Sequence, residues 1–184
     1  IVYKLLLYGI IKDMKKKAEI RKKMKVSLGC FDSVEKARQT AEIMAQFQLS
    51  DVYQQAKIIG VFLPMSFEFD ITKIFEDETK RFVIPKTLPD HQMIFTDYEP
   101  DNLMITTFGV KESMSTVSVT PDLIVVPGLA WNLEGYRVGF GGGYYDRYLA
   151  KFRGKTVSLV YDFQMTSEIQ PEQFDVPISK IFKV

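Results

Sequence analysis

The sequence predicts an α/β fold, namely a single-domain three-layer sandwich with a mostly parallel central sheet, helices on both faces and a small extra β layer. Two observations predict it. Short apolar runs alternate with amphipathic helical patterns along the chain, which is typical of strands buried beneath helices on both sides. The 184 residues contain no internal repeat and no linker-like segment, and this length suits one domain with a sizeable core.

The predicted elements follow from hydrophobic periodicity and from prolines. Ile20, Met24 and Leu28 recur every four residues and predict a first helix over 15–28. The other predicted helices are 33–47, which Ser33 could cap, 71–80 and about 143–151. The predicted strands are 57–63, 81–84 (stopped by Pro85), 123–126 and 156–160, with 93–95 and 103–107 in the smaller layer.

Composition excludes several classes of protein. The net charge of +1 argues against a surface dominated by one sign of charge, as in many nucleic-acid coats. A single cysteine, Cys30, allows no intrachain disulfide and fits a reducing, cytoplasmic compartment. A single histidine, His91, excludes zinc sites built from several Cys and His residues of one chain, and we expect it to be a surface residue in a turn.

The first 28 residues carry a net charge of +7, so a basic end precedes a mildly acidic body. Lys17 and Arg21 fall within about 60° of the apolar stripe of the first helix, so they should face the body of the protein and need an anionic partner. The alternative is that both side chains reach solvent or pair with a surface acid. Residues 1–13 are apolar but too short to span a membrane, and we interpret them as an upstream extension or artefact, with the domain covering 14–184.

A glycine-rich loop is the most informative stretch. Gly139, Gly141, Gly142 and Gly143 follow a predicted strand and precede a helix, an arrangement whose backbone N–H groups can converge on phosphate. A flexible turn is the alternative. The spacing does not match the dinucleotide fingerprint, and the Gly-Lys-Thr at 154–156 lacks the rest of a P-loop.

The neighbours of this loop favour an anion site. Arg137 could hold a phosphate bidentately and stabilise developing charge. Asp146 could hold Mg²⁺, which takes few carboxylates and shares phosphate oxygens, although a helix N-terminal charge is the alternative.

The combined string resembles a known family. Val126-Pro127-Gly128-Leu129-Ala130-Trp131, followed by Gly135-x-Arg137-x-Gly139-x-Gly141-x-Gly143-Tyr144-Tyr145-Asp146-Arg147, is similar to 5-formyltetrahydrofolate cyclo-ligases. The resemblance runs from about Lys15 to the C-terminus and includes Leu63-Pro64-Met65, Ile84-Pro85-Lys86 and Asp175-Val176-Pro177. It implies a cytoplasmic, monomeric enzyme that uses ATP as co-substrate and Mg²⁺ as cofactor, acts on 5-formyltetrahydrofolate and binds neither nucleic acid nor membrane.

The resemblance also implies roles for individual residues. Arg137 would be catalytic. The implied ATP-binding residues are Lys17, Arg21, Arg137, Gly139, Gly141, Gly142, Gly143, Tyr144 and Tyr145. The implied folate contacts are Met65, Glu68, Asp70 and Tyr144, and the implied magnesium ligands are Asp146 and Asp175.

Some positions depart from the family pattern and put the finer ligand contacts in doubt. They are Asn132, where Asp is frequent; Phe140 and Gly142, where basic residues are frequent; and Phe174 and Ser179 near the C-terminus.

Two other functions stay open. One is an ATP-dependent paralogue that keeps the phosphate loop but has a different pocket near residues 65–70. The other, which the balanced overall charge disfavours, is an RNA-binding or regulatory module that uses the basic end.

Overall fold

A central six-stranded sheet organises the computed structural model, which describes residues 2–107 and 109–184, with side chains from residue 14 onward. The strand order is β10-β9-β6-β1-β2-β3. The four pairings among the first five strands are parallel, and β3 runs antiparallel to β2. These strands are β1 (Ile58–Gly60), β2 (Arg81–Leu88), β3 (Gln92–Asp97), β6 (Leu123–Val125), β9 (Lys155–Leu159) and β10 (Lys180–Phe182).

Helices cover both faces of this sheet, as predicted. They are α1 (Val2–Gly29), α2 (Ser33–Gln48), the short α3 (Asp51–Gln55) and α4 (Tyr144–Leu149). In β6, Leu123 and Val125 belong to the core that includes α1 and α2, whereas Ile124 belongs to the core on the other face, with Leu149 of α4. Successive residues of one strand are therefore buried on opposite sides, which is the signature of a three-layer sandwich.

Two small antiparallel ribbons form the extra β layer. One pairs β4 (Leu103–Ile105) with β5 (Lys111–Ser113), and the other pairs β7 (Ala130–Trp131) with β8 (Arg137–Val138). The placement of 93–95 in this layer is wrong, because these residues lie in β3 of the central sheet. The ribbon β7–β8 matters for function, since it carries the chain from the end of β6 to the glycine-rich loop.

Several predicted boundaries are wrong for identifiable reasons. Pro85 does not stop β2, because β1 pairs with β2 only as far as Val83 and the missing N–H of Pro85 therefore lies on an unpaired side. The helix predicted over 71–80 is only a 3₁₀ turn, Thr72–Glu76. Asp77 accepts hydrogen bonds from the N and Oγ1 of Thr79, and such local bonds compete with helix formation.

The ends of the first two helices also differ from the prediction, since α1 begins at Val2 rather than near residue 15 and α2 has a different cap. Asp32 rather than Ser33 caps α2, since its Oδ1 accepts hydrogen bonds from Val34 N and Glu35 N. The apolar stripe of α1 is as predicted, with Ile20, Met24 and Leu28 buried. The side chains of residues 1–13 lie outside the described part of the structure. The interpretation of this segment as an upstream extension or artefact stays a prediction. In the part of the chain that the structure describes, no helix combines the length and apolarity needed to cross a membrane.

The turn between β7 and β8 requires a glycine at position 135. Gly135 has φ +88°, and a Cβ there would meet the backbone carbonyl oxygen of Ile178. The N–H of Ile178 donates to Gly135 O at 2.9 Å, so the two backbones are held close together.

We expect Gly135→Ala to lower the free energy of unfolding by more than about 2 kcal/mol, because strain and the steric clash act together. Urea unfolding measures the loss, with Gly29→Ala as the control: a Cβ there would meet no atom beyond its neighbours in α1, and we expect no loss and a gain of at most about 1 kcal/mol. Equal midpoints for the two variants would contradict this account of the turn.

Candidate functional site

The glycine-rich loop lies between β8 and α4, at the edge of the sheet where β1 and β6 end. Gly141 and Gly143 have φ of +105° and +69°, which side chains rarely adopt, and Gly143 immediately precedes Tyr144, the first residue of α4. A Cβ on Gly139 would meet no atom within 4 Å. The loop is therefore open to a ligand at one end and fixed in conformation at the other, as a backbone site for anions requires.

Helix α1 directs two cations inward, as its periodicity predicts: Arg21 contacts this loop, and Lys17 contacts the chain near the C-terminus. Arg21 Nε donates to Gly139 O at 2.8 Å. Lys17 Nζ lies 2.8 Å from Asp175 Oδ2 and 3.0 Å from Glu172 Oε1, and only 12% of its side chain is exposed. Burial opposes the charge of Lys17, but the hydrogen bonds and attraction from the two carboxylates outweigh it and raise the pKa.

Arg137 is the third cation of the site and is almost fully buried, with 4% of its side chain exposed. One terminal nitrogen donates to Val176 O at 3.0 Å, and the other lies 3.2 Å from Asp146 Oδ1. The same carboxylate oxygen accepts a hydrogen bond from Val176 N at 3.2 Å. We call residues 172–176 the C-terminal turn; it holds Lys17 through Asp175 and Arg137 through Val176.

Asp146 and Asp175 fit a role as magnesium ligands. Among the described residues, Asp146 accepts hydrogen bonds through Oδ1 and Asp175 accepts them through Oδ2. The second oxygen of each carboxylate accepts no hydrogen bond from these residues. The described residues contain no group of three or more potential metal ligands. Mg²⁺ commonly takes only one or two carboxylates and completes its shell with water and phosphate oxygens, so these two carboxylate oxygens near the glycine-rich loop suit it.

A buried acid lies on the other side of the site, in the turn that follows β1. Glu68 Oε2 accepts a hydrogen bond from Met65 N at 2.7 Å, and burial raises the Glu68 pKa to about 7. The Tyr145 hydroxyl is buried without a partner among the described residues, and burial together with the nearby Glu68 charge raises its pKa. Glu68 also lines a small cavity with Trp131 and other apolar residues. Two polar groups with unused hydrogen-bonding capacity thus lie close together, beside the glycine-rich loop.

Asp70 is not brought to this cavity. It is exposed, and its Oδ1 accepts hydrogen bonds from Thr72 N at 3.0 Å and Thr72 Oγ1 at 2.6 Å, so it stabilises the following 3₁₀ turn. Of the two acids proposed from the sequence, Glu68 lines the cavity and Asp70 does not.

The departures from the family pattern have structural explanations in part. The Phe140 ring lies 6.3 Å from the Phe67 ring, and Lys25 Nζ lies 5.6 Å from the Phe140 centroid, so Phe140 links the glycine-rich loop to α1 and to the turn after β1. Asn132 Oδ1 accepts hydrogen bonds from two backbone N–H groups of the β7–β8 turn. The Ser179 hydroxyl lies 3.0 Å from Thr156 Oγ1, and nothing in the structure explains Phe174, which is exposed.

Sequence reasoning missed two residues of the site. Glu172 pairs with Lys17, and its place three residues before Asp175 in a turn is the only local signal. Phe67 packs near Phe140 of the glycine-rich loop. From the sequence alone, this apolar residue cannot be told from an ordinary core residue.

The family model that describes the sequences of the 5-formyltetrahydrofolate cyclo-ligase family matches residues 13–184 of this chain. The chain belongs to this family. A 5-formyltetrahydrofolate cyclo-ligase of Haemophilus influenzae is 29% identical over 158 residues, which cover 78% of this chain and 84% of the relative. A mouse enzyme of the same name is 25% identical, over 90% of this chain and 92% of the relative. The chain is thus an enzyme of the cyclo-ligase family.

Solved structures agree with this membership. The structure of the Aquifex aeolicus 5,10-methenyltetrahydrofolate synthetase superposes with a TM-score of 0.79 at 28% identity, covering 90% of this chain and 88% of that one. The Mycoplasma pneumoniae 5,10-methenyltetrahydrofolate synthetase superposes with a TM-score of 0.73 at 24% identity and supports the fold. The predicted single-domain α/β sandwich is confirmed.

The buried Glu68 carboxyl predicts a pH dependence of stability. Its folded pKa of about 7 lies above the unfolded value of 4.5, so the folded state binds the proton more tightly. The contribution of Glu68 to the free energy of unfolding should therefore fall as pH rises through this window, by on the order of 3 kcal/mol in total.

Glu68→Gln removes the titrating group and should flatten this decline. The measurement is urea unfolding at several pH values from about 5 to about 8, with the exposed Glu78→Gln as the matched control. If Glu68→Gln and the wild type lose stability in parallel over this range, Glu68 does not titrate as described.

Proposed function

We propose that this enzyme converts 5-formyltetrahydrofolate to 5,10-methenyltetrahydrofolate, using ATP and Mg²⁺ and releasing ADP and phosphate. The observation that carries the proposal is the convergence of Lys17, Arg21 and Arg137 on the glycine-rich loop and the C-terminal turn. In this proposal the glycine-rich loop, 139–143, binds phosphate, and we call it the phosphate loop. Three cations beside an open backbone site suit a triphosphate, whose charge they would offset.

The chemistry needs activation of a poor leaving group. A formamide oxygen does not leave readily, but it leaves as phosphate once it carries a phosphoryl group. In the proposed reaction, the N5-formyl oxygen attacks the γ-phosphorus, and the bond from this phosphorus to the ADP oxygen breaks. N10 of the folate then adds to the activated carbon, N10 loses its proton, the ring closes and phosphate departs.

The protein would contribute positioning and charge neutralisation rather than a covalent nucleophile. Arg137 uses one N–H toward Val176 O and another toward Asp146, and the guanidinium has five N–H donors in all, so others remain for phosphate oxygens. Lys17 and Arg21 of α1 would neutralise further charge on the phosphates. Gly139, Gly141, Gly142 and Gly143, with the first residues of α4, would supply backbone N–H groups.

Mg²⁺ would be held by the free oxygens of Asp146 and Asp175 and would supply further charge neutralisation on the phosphates. Because Asp146 also pairs with Arg137, the metal and this cation would be kept side by side.

The folate would lie toward the turn after β1, with Met65, Glu68 and Tyr144 as its contacts. A carboxyl group with a pKa of about 7 is present in both protonation states near neutral pH. Its oxygens can accept hydrogen bonds from the donor-rich pterin ring, and its protonated form can also donate one. That the enzyme acts as a cytoplasmic monomer stays a prediction from the sequence.

A turnover assay tests the proposal. The purified protein is mixed with 5-formyltetrahydrofolate and MgATP, and the absorbance of the methenyl product is followed, with parallel reactions that lack ATP or contain a chelator. We expect product only in the complete reaction. Binding of MgATP without product would retain the phosphate site but reject the folate substrate, and product without ATP would reject the phosphorylation chemistry.

Arg137→Ala should lower kcat/KM by at least about a hundredfold, because a charge placed at the developing transition-state charge is lost. Arg153→Ala, at an exposed position, is the matched control and should retain wild-type turnover. Arg137→Lys keeps the charge near Asp146 but loses the fork of donors, so it should be impaired even where its stability equals that of the wild type. Near-normal turnover by a folded Arg137→Ala protein would exclude this role.

A further inference from the structure

The turn that leads into β3 has an unusual backbone conformation. Asp90 and His91 have φ of +58° and +56°, and they are the non-glycine residues with positive φ in the part of the chain that the structure describes. Two such residues in succession are uncommon, although Asp and His tolerate this region better than most side chains. A conformation of this kind calls for a functional hypothesis when the side chain that it directs meets a binding site.

The side chain directed in this way is the imidazole of His91, which meets the Tyr144 ring. The two ring centroids lie 5.4 Å apart with an interplanar angle of 56°. The Tyr144 ring also lies against the loop itself, because a Cβ on Gly142 would come within 2.7 Å of its Cδ2 and Cε2 atoms. Tyr144 is thus held between its own loop and a residue of the central sheet's edge.

Tyr144 packs against the same core as the rest of α4, but α4 has two further anchors in that core. Tyr148, one turn further along, packs edge-to-face on Phe95 of β3 at 5.2 Å, and Leu149 is buried in the same core. His91 is exposed by comparison. Loss of its ring should therefore leave α4 anchored through Tyr148 and Leu149 and loosen only its first residue, Tyr144, and the loop before it.

We propose that His91 is a positioning residue that acts through Tyr144, keeping its ring against Gly142 and the phosphate loop in its binding conformation. The proposal rests on the proposed function, since it assigns to the loop the binding of ATP phosphates. It gives the chain's only histidine a role in ATP affinity that does not require proton transfer.

His91→Asn tests the proposal, since asparagine accepts positive φ but lacks the ring. We expect the KM for ATP to rise about three- to tenfold, as loss of an aromatic contact implies, with kcat within about twofold. Amide hydrogen exchange over residues 141–144 of the free protein should become faster, while exchange over 146–150 stays unchanged. Asp90→Asn, which leaves the ring contact intact, is the control and should match the wild type in both measurements.

A double-mutant cycle with Tyr144→Ala separates action through Tyr144 from any other role. If His91 acts through Tyr144, His91→Asn has no further effect on the KM for ATP in the Tyr144→Ala background. Additive effects, or unchanged exchange over 141–144 in the single variant, would overturn the proposal. Failure of the wild type to form product would instead contradict the proposed function, and the exchange measurement would still decide the role of His91.

Discussion

The ion pair between Lys17 and Asp175 joins residues 158 positions apart and connects the first helix to the C-terminal turn. The same turn holds Arg137 through Val176 O and Asp146 through Val176 N. Lys17 and Arg137 are both largely buried, so each needs its partners: removal of one member of such a pair typically costs about 3–5 kcal/mol, because the other charge is left buried. The position of the C-terminal turn therefore sets the positions of two of the three cations.

These pairs show how the proposed site for a highly charged ligand could exist in the free protein. Carboxylates of the turn and of α4 neutralise the cations and orient them, so little reorganisation would be needed to bind phosphate. Each aspartate keeps one oxygen that accepts no hydrogen bond from the residues that the structure describes. The same residues that balance charge in the free protein are thus available, in the proposed complex, to hold a divalent cation beside the phosphates.

Local sequence signals predicted the features that depend on neighbouring residues. The four-residue period of Ile20, Met24 and Leu28 placed Lys17 and Arg21 on the inward face of α1, and the glycine cluster before a helix predicted the loop. Features that depend on distant contacts could not be predicted in this way. Glu172 meets Lys17 only because the chain folds, and Pro85 is tolerated within β2 only because β1 has already ended. The contact between His91 and Tyr144 also joins a turn to a loop 53 positions later.

Hydrogen exchange with and without a saturating, non-hydrolysable ATP analogue and Mg²⁺ tests most directly whether the loop and the C-terminal turn form one phosphate site. The account predicts slower amide exchange in both residues 139–147 and the C-terminal turn, 172–176, on binding, at the same analogue concentration, with the β4–β5 ribbon unchanged. Protection of the loop alone, with no change in the C-terminal turn, would contradict the account, as would binding that protects neither segment.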